Sequence, residues 1–300
     1  MLDQWLNNMI TLNTGDWHAP ERRPENRIDD YWNTFLRKVD FIMETAEKYK
    51  AEFIIQPADL TDTPALSYEN YIELGKKIKK KIYTTWGQHD LRFRNKKNTV
   101  LKALDAFSEV EILTNEYDII YNGVCIKGCP YNDEIPSPTE GEFNILIIHK
   151  MLVEDKLWAE QKEFEWGSSF LRRNKFDLII SGDNHQFFME QIGNRFLFNC
   201  GSLMRSSIAQ IDHEPKIVIF DTDSRNYEII KVPIQPAAKV FMLDKVEKEK
   251  EKNEKIEAFV SRLSEQKEMS LSFMDNLYAY AKENNIEKEI VDVIVECSHD

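Results

Sequence analysis

Four of the six histidines follow short runs of β-forming residues, and three of them have an acidic or amide residue within two positions. They lie in four segments: Gly15-Asp16-Trp17-His18, Gly87-Gln88-His89-Asp90, Ile147-Ile148-His149 and Gly182-Asp183-Asn184-His185. A fifth segment, Ala58-Asp59-Leu60-Thr61-Asp62, adds carboxylates after another apolar run. Because strand ends beside glycine expose side chains in a common crevice of a layered sheet, we expect the five segments to converge. His213 and His299 lie outside this pattern and are interpreted as surface residues.

Metal binding is the chemistry that these residue types favour. Neutral imidazoles combined with carboxylates suit Mn, Fe or Zn, whereas Ca²⁺ prefers cages made only of oxygen ligands. Any one segment alone is a weak signal, because a lone Asp-x-His or Gly-x-His-Asp is usually a turn. Among the side chains of these segments we count three carboxylates, three imidazoles and one amide as candidate ligands. That set is large enough for two ions.

The elements that must position these residues alternate between residues 10 and 235, as in an α/β layered domain. Apolar residues at helical spacing from Trp32 to Ala46 predict a helix, and Phe53-Ile54-Ile55 predicts the strand after it. A second helix is predicted over Tyr68–Lys80, and a strand over Lys81–Trp86. Beyond Asn115 the chain becomes β-rich, with strands predicted over Tyr117–Tyr121, Val124–Gly128, Asn144–His149, Leu178–Gly182, Phe196–Asn199 and Lys216–Phe220. We expect two sheets packed face to face.

Composition shifts predict three regions along the chain. Pro233 and Pro236 end the β-rich texture, and residues 244–255 are almost entirely Lys and Glu. We therefore predict a catalytic domain over residues 1–240, a charged linker over 241–255 and a small helical module over 256–300. Three apolar stripes, starting at Ile256, Phe273 and Ile286, indicate the helices of that module. It is either a cap on the catalytic domain or a docking element for a partner.

The net charge and the composition restrict the cellular compartment and the binding partners that we expect. The formal net charge of −13 opposes nonspecific binding to polyanions, although local basic groups and bound cations can still attract phosphates. No apolar run approaches the roughly 20 residues that span a bilayer, so we expect a cytoplasmic protein without a membrane partner. The four cysteines are too few and too scattered for a disulfide framework and are interpreted as buried thiols.

The ordered series of motifs resembles the signature of calcineurin-like metallophosphoesterases over about residues 10–235. That signature runs Asp-x-His, Gly-Asp-x-x-Asp, Gly-Asn-His-Asp, a strand-end His and Gly-His-x-His. The resemblance implies a four-layer αββα sandwich with two mixed sheets, and two-metal hydrolysis of phosphoesters. For the cofactor we expect two divalent ions, with Mn²⁺ first and Mg²⁺, Fe²⁺ or Zn²⁺ as alternatives.

The resemblance also implies a role for each residue. It gives seven metal ligands: Asp16, His18 and His185 for the first ion, Asp59 for both, and Gln88, His149 and Asp183 for the second. His89 matches the catalytic histidine near the leaving-group oxygen, and Asp62 matches the acid that orients it.

Three positions depart from the family pattern, since Ala58 replaces a glycine, Gln88 an asparagine and Asp183 a histidine. Both ligand replacements keep a competent donor atom, so we expect altered geometry rather than lost metal binding.

The segment Asp62-Thr63-Pro64 lacks the Arg-Gly of Ser/Thr protein phosphatases and is similar to the loop of SbcCD-type repair nuclease subunits. Asp90-Leu91-Arg92 and Asn199-Cys200-Gly201-Ser202 are similar to that group too. The resemblance implies a DNA exonuclease or endonuclease in repair or recombination, with an ABC/SMC-type coiled-coil ATPase partner and a possible homodimer. Arg92 and Arg205 are the predicted substrate-binding residues, near further basic side chains at Arg94, Lys96, Lys97, Arg172, Arg173 and Lys175.

Two alternatives remain open. One is a phosphodiesterase acting on a small molecule or nucleotide, which a narrow, enclosed pocket would favour over an open basic groove. The other is a scaffold that kept the fold and lost catalysis, with Ala58, Gln88 and Asp183 as signs of decay. Retention of the predicted first-metal ligands and of His89 argues against the scaffold.

Overall fold

The computed structural model describes residues 9–93, 95–157 and 161–242, together with ten positions between 277 and 291. The chain divides into two compact units, Met1–Met242 and Leu243–Asp300. In the second unit Leu277, Ala281 and Val291 form a small buried cluster. Most of the predicted linker and helical module lies outside the described residues, so the predicted domain boundaries and the role of the module stay predictions.

Strands and helices alternate along the first unit. In chain order they are β1 (Ile10–Asn13), α1 (Tyr31–Lys48), β2 (Phe53–Ile55), α2 (Tyr68–Lys77), β3 (Ile82–Thr84), α3 (Val100–Phe107), β4 (Val110–Ile112), β5 (Ile119–Tyr121), β6 (Val124–Cys129), β7 (Phe143–His149), β8 (Leu152–Val153), β9 (Glu165–Trp166), α4 (Gly167–Arg173), β10 (Leu178–Gly182), β11 (Phe188–Ile192), β12 (Arg195–Asn199), β13 (Lys216–Asp221), β14 (Tyr227–Lys231) and α5 (Ala237–Val240). The named helices and strands are confirmed, although α2 ends three residues before the predicted Lys80 and β3 covers only the middle of its predicted span.

Two six-stranded mixed sheets form the centre of this unit. The first has the order β14-β13-β1-β2-β3-β4, with β1 to β4 parallel and β13 and β14 antiparallel at one side. The second has the order β11-β12-β10-β7-β6-β5, with four parallel central strands and antiparallel strands at both edges. Parallel neighbours place their carboxyl ends at one edge, which is where the predicted ligands occur.

Side chains on the facing surfaces of the sheets form one shared core. Along β13, Val218 and Phe220 belong to this inner cluster, whereas Ile217 and Ile219 join the cluster on the opposite face. This alternation follows from the two-residue period of a strand. Helices α1, α2 and α3 contribute to the outer cluster of the first sheet, and α4 to that of the second. The layers are therefore helix, sheet, sheet and helix, which confirms the predicted αββα sandwich.

Helix α1 shows how local sequence sets these layers. Asp30 caps its start by accepting a hydrogen bond from the Asn33 amide at 3.1 Å. Phe35, Val39 and Ile42 recur at helical spacing and are buried against the first sheet.

Two further predictions concern composition. The cysteines that the structure describes, Cys125, Cys129 and Cys200, are free and buried, as predicted; Cys297 lies outside the described residues. Among the described helices, none is long and apolar enough to cross a membrane.

The packing of the two sheets predicts the effect of removing one inner aromatic ring. Phe198 is fully buried, and its ring centroid lies 5.3 Å from that of Tyr227 and 6.2 Å from that of Phe220. Phe198→Ala should lower the free energy of unfolding by about 3–5 kcal/mol, because it leaves a cavity between the sheets. Urea unfolding measures this change. Phe107→Ala, at a ring that is 85% exposed, is the control and should cost no more than about 0.5 kcal/mol. Equal losses in the two variants would contradict the assignment of the inner core.

Candidate active site

The predicted ligands lie together where strands of both sheets end. His18 Nε2 lies 3.1 Å from His185 Nε2, and His149 Nε2 lies 3.1 Å from Asp59 Oδ2. His185 Nε2 is 3.8 Å from Asp16 Oδ2. Two groups have ligand atoms mutually within 4.8 Å: Asp16 with His18 and His185, and His18 with Asp59 and His89. The five sequence segments therefore form one cluster, as the strand-end pattern predicted.

Hydrogen bonds between loops hold the carboxylates in place. Asp59 Oδ1 accepts the His89 amide at 2.9 Å, and Asp16 Oδ2 accepts the Asp183 amide at 2.9 Å. The His18 amide donates to the Asp59 carbonyl at 2.9 Å, so the loops after β1 and β2 are joined through their backbones as well. Each carboxylate thus uses one oxygen for positioning, and the other oxygen is available to a ligand.

The backbone of the cluster is strained at four residues. His18, Ala58, Asp59 and Asp183 have φ angles of 46°, 76°, 43° and 80°, in the left-handed region that residues with a Cβ rarely adopt. Such positions cost about 1–3 kcal/mol each and persist where the surrounding structure fixes them. Three of these four residues are predicted ligands, so strained backbone coincides with the candidate metal site.

Two glycines give the carboxylates room. A Cβ at Gly87 would lie 2.0 Å from Asp59 Oδ1, and a Cβ at Gly182 would lie 2.3 Å from Asp16 Oδ1. Both distances are far inside van der Waals contact. No other residue type can occupy these positions while the carboxylates stay where they are.

Several buried polar atoms in the cluster lack a hydrogen-bond partner among the described residues. They are Asp16 Oδ1, His18 Nδ1, Gln88 Oε1 and His149 Nε2. His149 Nδ1 lies 2.8 Å from the Pro57 carbonyl and must donate to it, so the neutral ring presents a lone pair on Nε2 toward Asp59. An unpaired buried polar group costs about 1–3 kcal/mol, and two acceptors that face each other need a proton or a metal ion between them. These residues therefore fit a divalent metal centre.

The pKa values of the clustered side chains also indicate that a positive charge would stabilise the site. Burial raises the pKa of Asp16 well above its ordinary value. Burial alone would lower the pKa of His149, but the Asp59, Asp16 and Asp183 carboxylates outweigh it and raise that pKa to about 10. In the absence of metal, a proton on His149 partly offsets the carboxylates. A divalent cation would replace that proton.

Comparison with known proteins supports a specific assignment. A family model described as calcineurin-like phosphoesterase matches residues 9–187, more than half of the chain. The chain belongs to the calcineurin-like phosphoesterase family. No curated protein matches it significantly. Similar solved structures include TT1561 of Thermus thermophilus, with 13% identity, a TM-score of 0.49 and coverage of 76% of this chain and 100% of that chain. A structure described as a novel archaeal phosphodiesterase has 14% identity, a TM-score of 0.43 and coverage of 74% and 99%.

The two predicted ligand positions that depart from the calcineurin-like family pattern contact each other. Gln88 Nε2 donates to Asp183 Oδ1 at 2.9 Å. This bond uses the amide nitrogen of Gln88, while its Oε1 is buried without a partner among the described residues. The carboxylate at position 183 thus orients the amide at position 88 with its oxygen available as a ligand. The geometry argues against independent decay of the two positions.

His89, which matches the catalytic histidine of the calcineurin-like family, lies at the open side of the cluster with a side chain that is 43% exposed. Its Nδ1 donates to the backbone carbonyl of Asp62 at 2.9 Å, whereas the nearer Asp62 carboxylate oxygen is 3.9 Å away. The carbonyl therefore orients the ring, and the carboxylate contributes only its charge. This bond leaves Nε2 free to exchange a proton with substrate.

Asp90 is a buried residue for which the sequence alone suggested no function. It accepts the Thr61 amide and hydroxyl, each at 3.0 Å, and the Gly87 amide at 3.2 Å. Burial and the nearby Asp59 carboxylate raise its pKa to about 7. Asp90 ties the loop after β2 to the loop after β3, and so positions Asp59 and His89. Its place directly after His89 was visible in the sequence, but its burial was not.

The two predicted substrate-binding arginines lie in different surroundings. Arg92 is exposed and starts a tight hairpin directly after the His89 loop, where its backbone pairs with Asn95. Arg205 is buried, and its guanidinium donates to the carbonyls of Ile211 and Gln235 at 2.9 and 2.6 Å. Arg205 therefore belongs to a basic cavity outside the ligand cluster, and only Arg92 lies beside the His89 loop.

The close approach at Gly87 predicts that one methyl group is enough to weaken the metal centre. Gly87→Ala should reduce Mn²⁺ affinity by about 10–100-fold, the range typical of residues that position metal ligands, because the methyl group would displace Asp59. Isothermal titration measures the affinity, and circular dichroism checks that the variant is folded. The control is Gly75→Ala in α2, where a Cβ would meet its nearest neighbour at 3.7 Å and Mn²⁺ affinity should not change. Unchanged affinity in folded Gly87→Ala would contradict the proposed position of Asp59.

Proposed function

We propose that this protein is a two-metal phosphodiesterase that cleaves DNA. The observation that carries the proposal is the cluster of buried, unpaired acceptors, Asp16 Oδ1, Gln88 Oε1 and His149 Nε2, in the described part of the chain beside the exposed ring of His89. Membership of the calcineurin-like phosphoesterase family supports metal-dependent hydrolysis. Two bound divalent cations would lower the pKa of a shared water and hold phosphoryl oxygens for in-line attack.

The charges of the chain's own residues suit a phosphodiester anion. Asp16, Asp59 and Asp183 contribute three negative charges to a centre built for two divalent ions. With a hydroxide formed from the shared water, the loaded site would be close to neutral and would not repel a phosphodiester anion. We assign the seven predicted ligands to this centre, with Gln88 and Asp183 held as a pair on the second-ion side.

His89 would deliver a proton to the departing oxygen. Its Nδ1 is held by the Asp62 carbonyl, so Nε2 is the nitrogen available to the leaving group. Proton transfer by a positioned side chain contributes about 10²–10⁴-fold to a rate. We propose that Asp62 acts on this ring mainly through its backbone, because its carboxylate lies 3.9 Å from His89 Nδ1 and 3.6 Å from His18 Nδ1.

Two features beside His89 favour a nucleic-acid substrate. Phe93 is 93% exposed and has a φ angle of 52°, which is a genuine outlier for a bulky residue. The hairpin that presents it is closed by Arg92 and Asn95 and is followed by the exposed Lys96 and Lys97. Aromatic side chains stack on bases, and neighbouring lysines attract the phosphate backbone. This hairpin is therefore a suitable contact for a polynucleotide strand.

The openness of the site also favours a large substrate over a small one. The side chains of His89 and His185 are each 43% exposed, so the ligand cluster faces solvent and is not enclosed. A small-molecule phosphodiesterase would be expected to surround its substrate more completely. The complete ligand cluster likewise favours an active enzyme over a scaffold.

We further propose that the enzyme works in DNA repair or recombination with an ABC-type coiled-coil ATPase, and that it pairs as a homodimer. The similarity of Asp62-Thr63-Pro64 to SbcCD-type nuclease subunits supports this role. Residues 243–300 form a separate compact unit, and we propose that this unit is the docking element. Such a role implies a cytoplasmic location.

The proposal predicts Mn²⁺-dependent cleavage of labelled linear single- or double-stranded DNA by the purified full chain. His89→Ala should lower the cleavage rate by about 10²–10⁴-fold, because the proton donor is lost. Its Mn²⁺ affinity, measured by isothermal titration, should be unchanged.

Phe93→Ala and a chromogenic phosphodiester serve as the substrate controls. Loss of the ring should weaken DNA binding by roughly 1–3 kcal/mol, the usual size of a base–aromatic stack, and leave hydrolysis of the small diester unchanged. Cleavage of the small diester without cleavage of DNA would instead assign the enzyme to small substrates. No hydrolysis of either substrate with any divalent metal, even with a candidate ATPase present, would favour a scaffold.

A further inference from the structure

A second concentration of charge lies outside the ligand cluster, around a cavity of about 120 Å³. Four cationic side chains line it: Arg27, Arg37, Lys38 and Arg205. Among the described residues, no carboxylate is part of the lining. A protein with a net charge of −13 has therefore placed four basic side chains around one small space.

Three of these cations are buried. Arg27 is 2% exposed, Arg205 is 4% exposed and Lys38 is 5% exposed. Asp29 acts on both Lys38 and Arg205 and pairs with Arg27 at 2.8 Å, and the exposed Asp212 also acts on Arg205. Three buried cations thus face two carboxylates in the described part of the chain. Burying a charge is costly unless a counter-charge accompanies it, so this region has an excess of positive charge.

The hydrogen bonds of these cations do not neutralise the excess. Lys38 Nζ donates to the Leu203 carbonyl and Arg27 Nη1 to the Arg205 carbonyl, both at 2.5 Å. Arg205 donates to two further carbonyls. Carbonyl oxygens satisfy donors without adding charge. An ammonium has three donors and a guanidinium five, so these bonds leave donors for a ligand.

The lowered pKa of Lys38 is consistent with too few carboxylates around this cavity. Burial lowers its pKa to about 7, and the Arg205 and Arg27 guanidinium groups contribute to that decrease. A nearby anion would favour the charged ammonium.

We propose that this cavity binds a tetrahedral oxyanion of the phosphate type, held by Lys38, Arg37 and Arg205. Its volume exceeds the space that several water molecules need, so a phosphate group fits. Arginine and lysine donors at close quarters form the strongest hydrogen bonds to phosphate oxygens. The phosphate is either a free inorganic ion or the terminal phosphate of a nucleotide.

The cavity shares a loop with the metal centre, so the test must separate the two. Lys38 binds the carbonyl of Leu203, and the Leu203 amide donates to the Asp16 carbonyl at 2.7 Å. Binding should therefore be measured on the full chain in EDTA, where phosphate cannot bind through metal ions. Ionic strength is held constant with sodium chloride.

Isothermal titration with sodium phosphate should give saturable binding of one ion per chain. Lys38→Met, which keeps the apolar stem, and Arg37→Gln, at an exposed residue, should each weaken binding by about tenfold or more. Lys102→Met, at an exposed lysine of α3, is the matched control and should bind like the wild type. Circular dichroism checks the fold of each variant.

A parallel titration with a nucleoside 5′-monophosphate distinguishes the two sources. Binding of phosphate alone would identify a site for the free ion, and tighter binding of the nucleotide would identify a site for a phosphate end. Absence of saturable binding with both ligands would overturn the proposal. So would binding that folded Lys38→Met and Arg37→Gln retain at wild-type strength.

Discussion

Buried acceptors that face one another, and that need either a proton or a metal ion between them, are the constraint on which this active site depends. His149 Nε2 and Asp59 Oδ2 lie 3.1 Å apart, and the Asp16 and Gln88 oxygens beside them are buried without partners among the described residues. The backbone at Asp59 and Asp183 adds strain through positive φ angles. Such an arrangement is unfavourable by itself and becomes favourable when divalent cations occupy it. Metal binding and correct folding of the site are therefore linked.

The two sheets contribute complementary parts of this arrangement. Loops after strands of the first sheet carry Asp16, Asp59 and His89, whereas the second sheet supplies His149 and Asp183. Neither sheet alone holds a complete set of the predicted ligands. The apolar layer between the sheets therefore fixes the distances within the metal centre, and a change in that packing would alter metal affinity. In the same way, the loop after β12 joins the metal centre to the basic cavity, so the two sites share one backbone segment.

The sequence predicted which residues would meet, and the structure determined how they meet. Strand ends and ligand types could be predicted because β-rich runs and motif spacing are local features of the sequence. The two mixed sheets confirmed the predicted fold. The burial and orientation of side chains could not be predicted from the sequence, because they depend on contacts between distant segments. Asp90 acquires its role only when Thr61 and Gly87 come within 3.2 Å, and Arg205 becomes buried only when it reaches the Ile211 and Gln235 carbonyls. The contact between Gln88 and Asp183 likewise joins residues 95 positions apart.

The decisive experiment is a titration of Mn²⁺ into the metal-free protein at several pH values. We expect two Mn²⁺ ions per chain and an affinity that increases with pH. The reason is that the pKa of His149 is raised to about 10 and that of Asp16 is also raised, so both groups hold protons that bound metal must displace. Buffers of different ionisation enthalpy would reveal the proton release by calorimetry. Fewer than two ions per chain, or binding that releases no protons, would rule out the proposed two-metal centre.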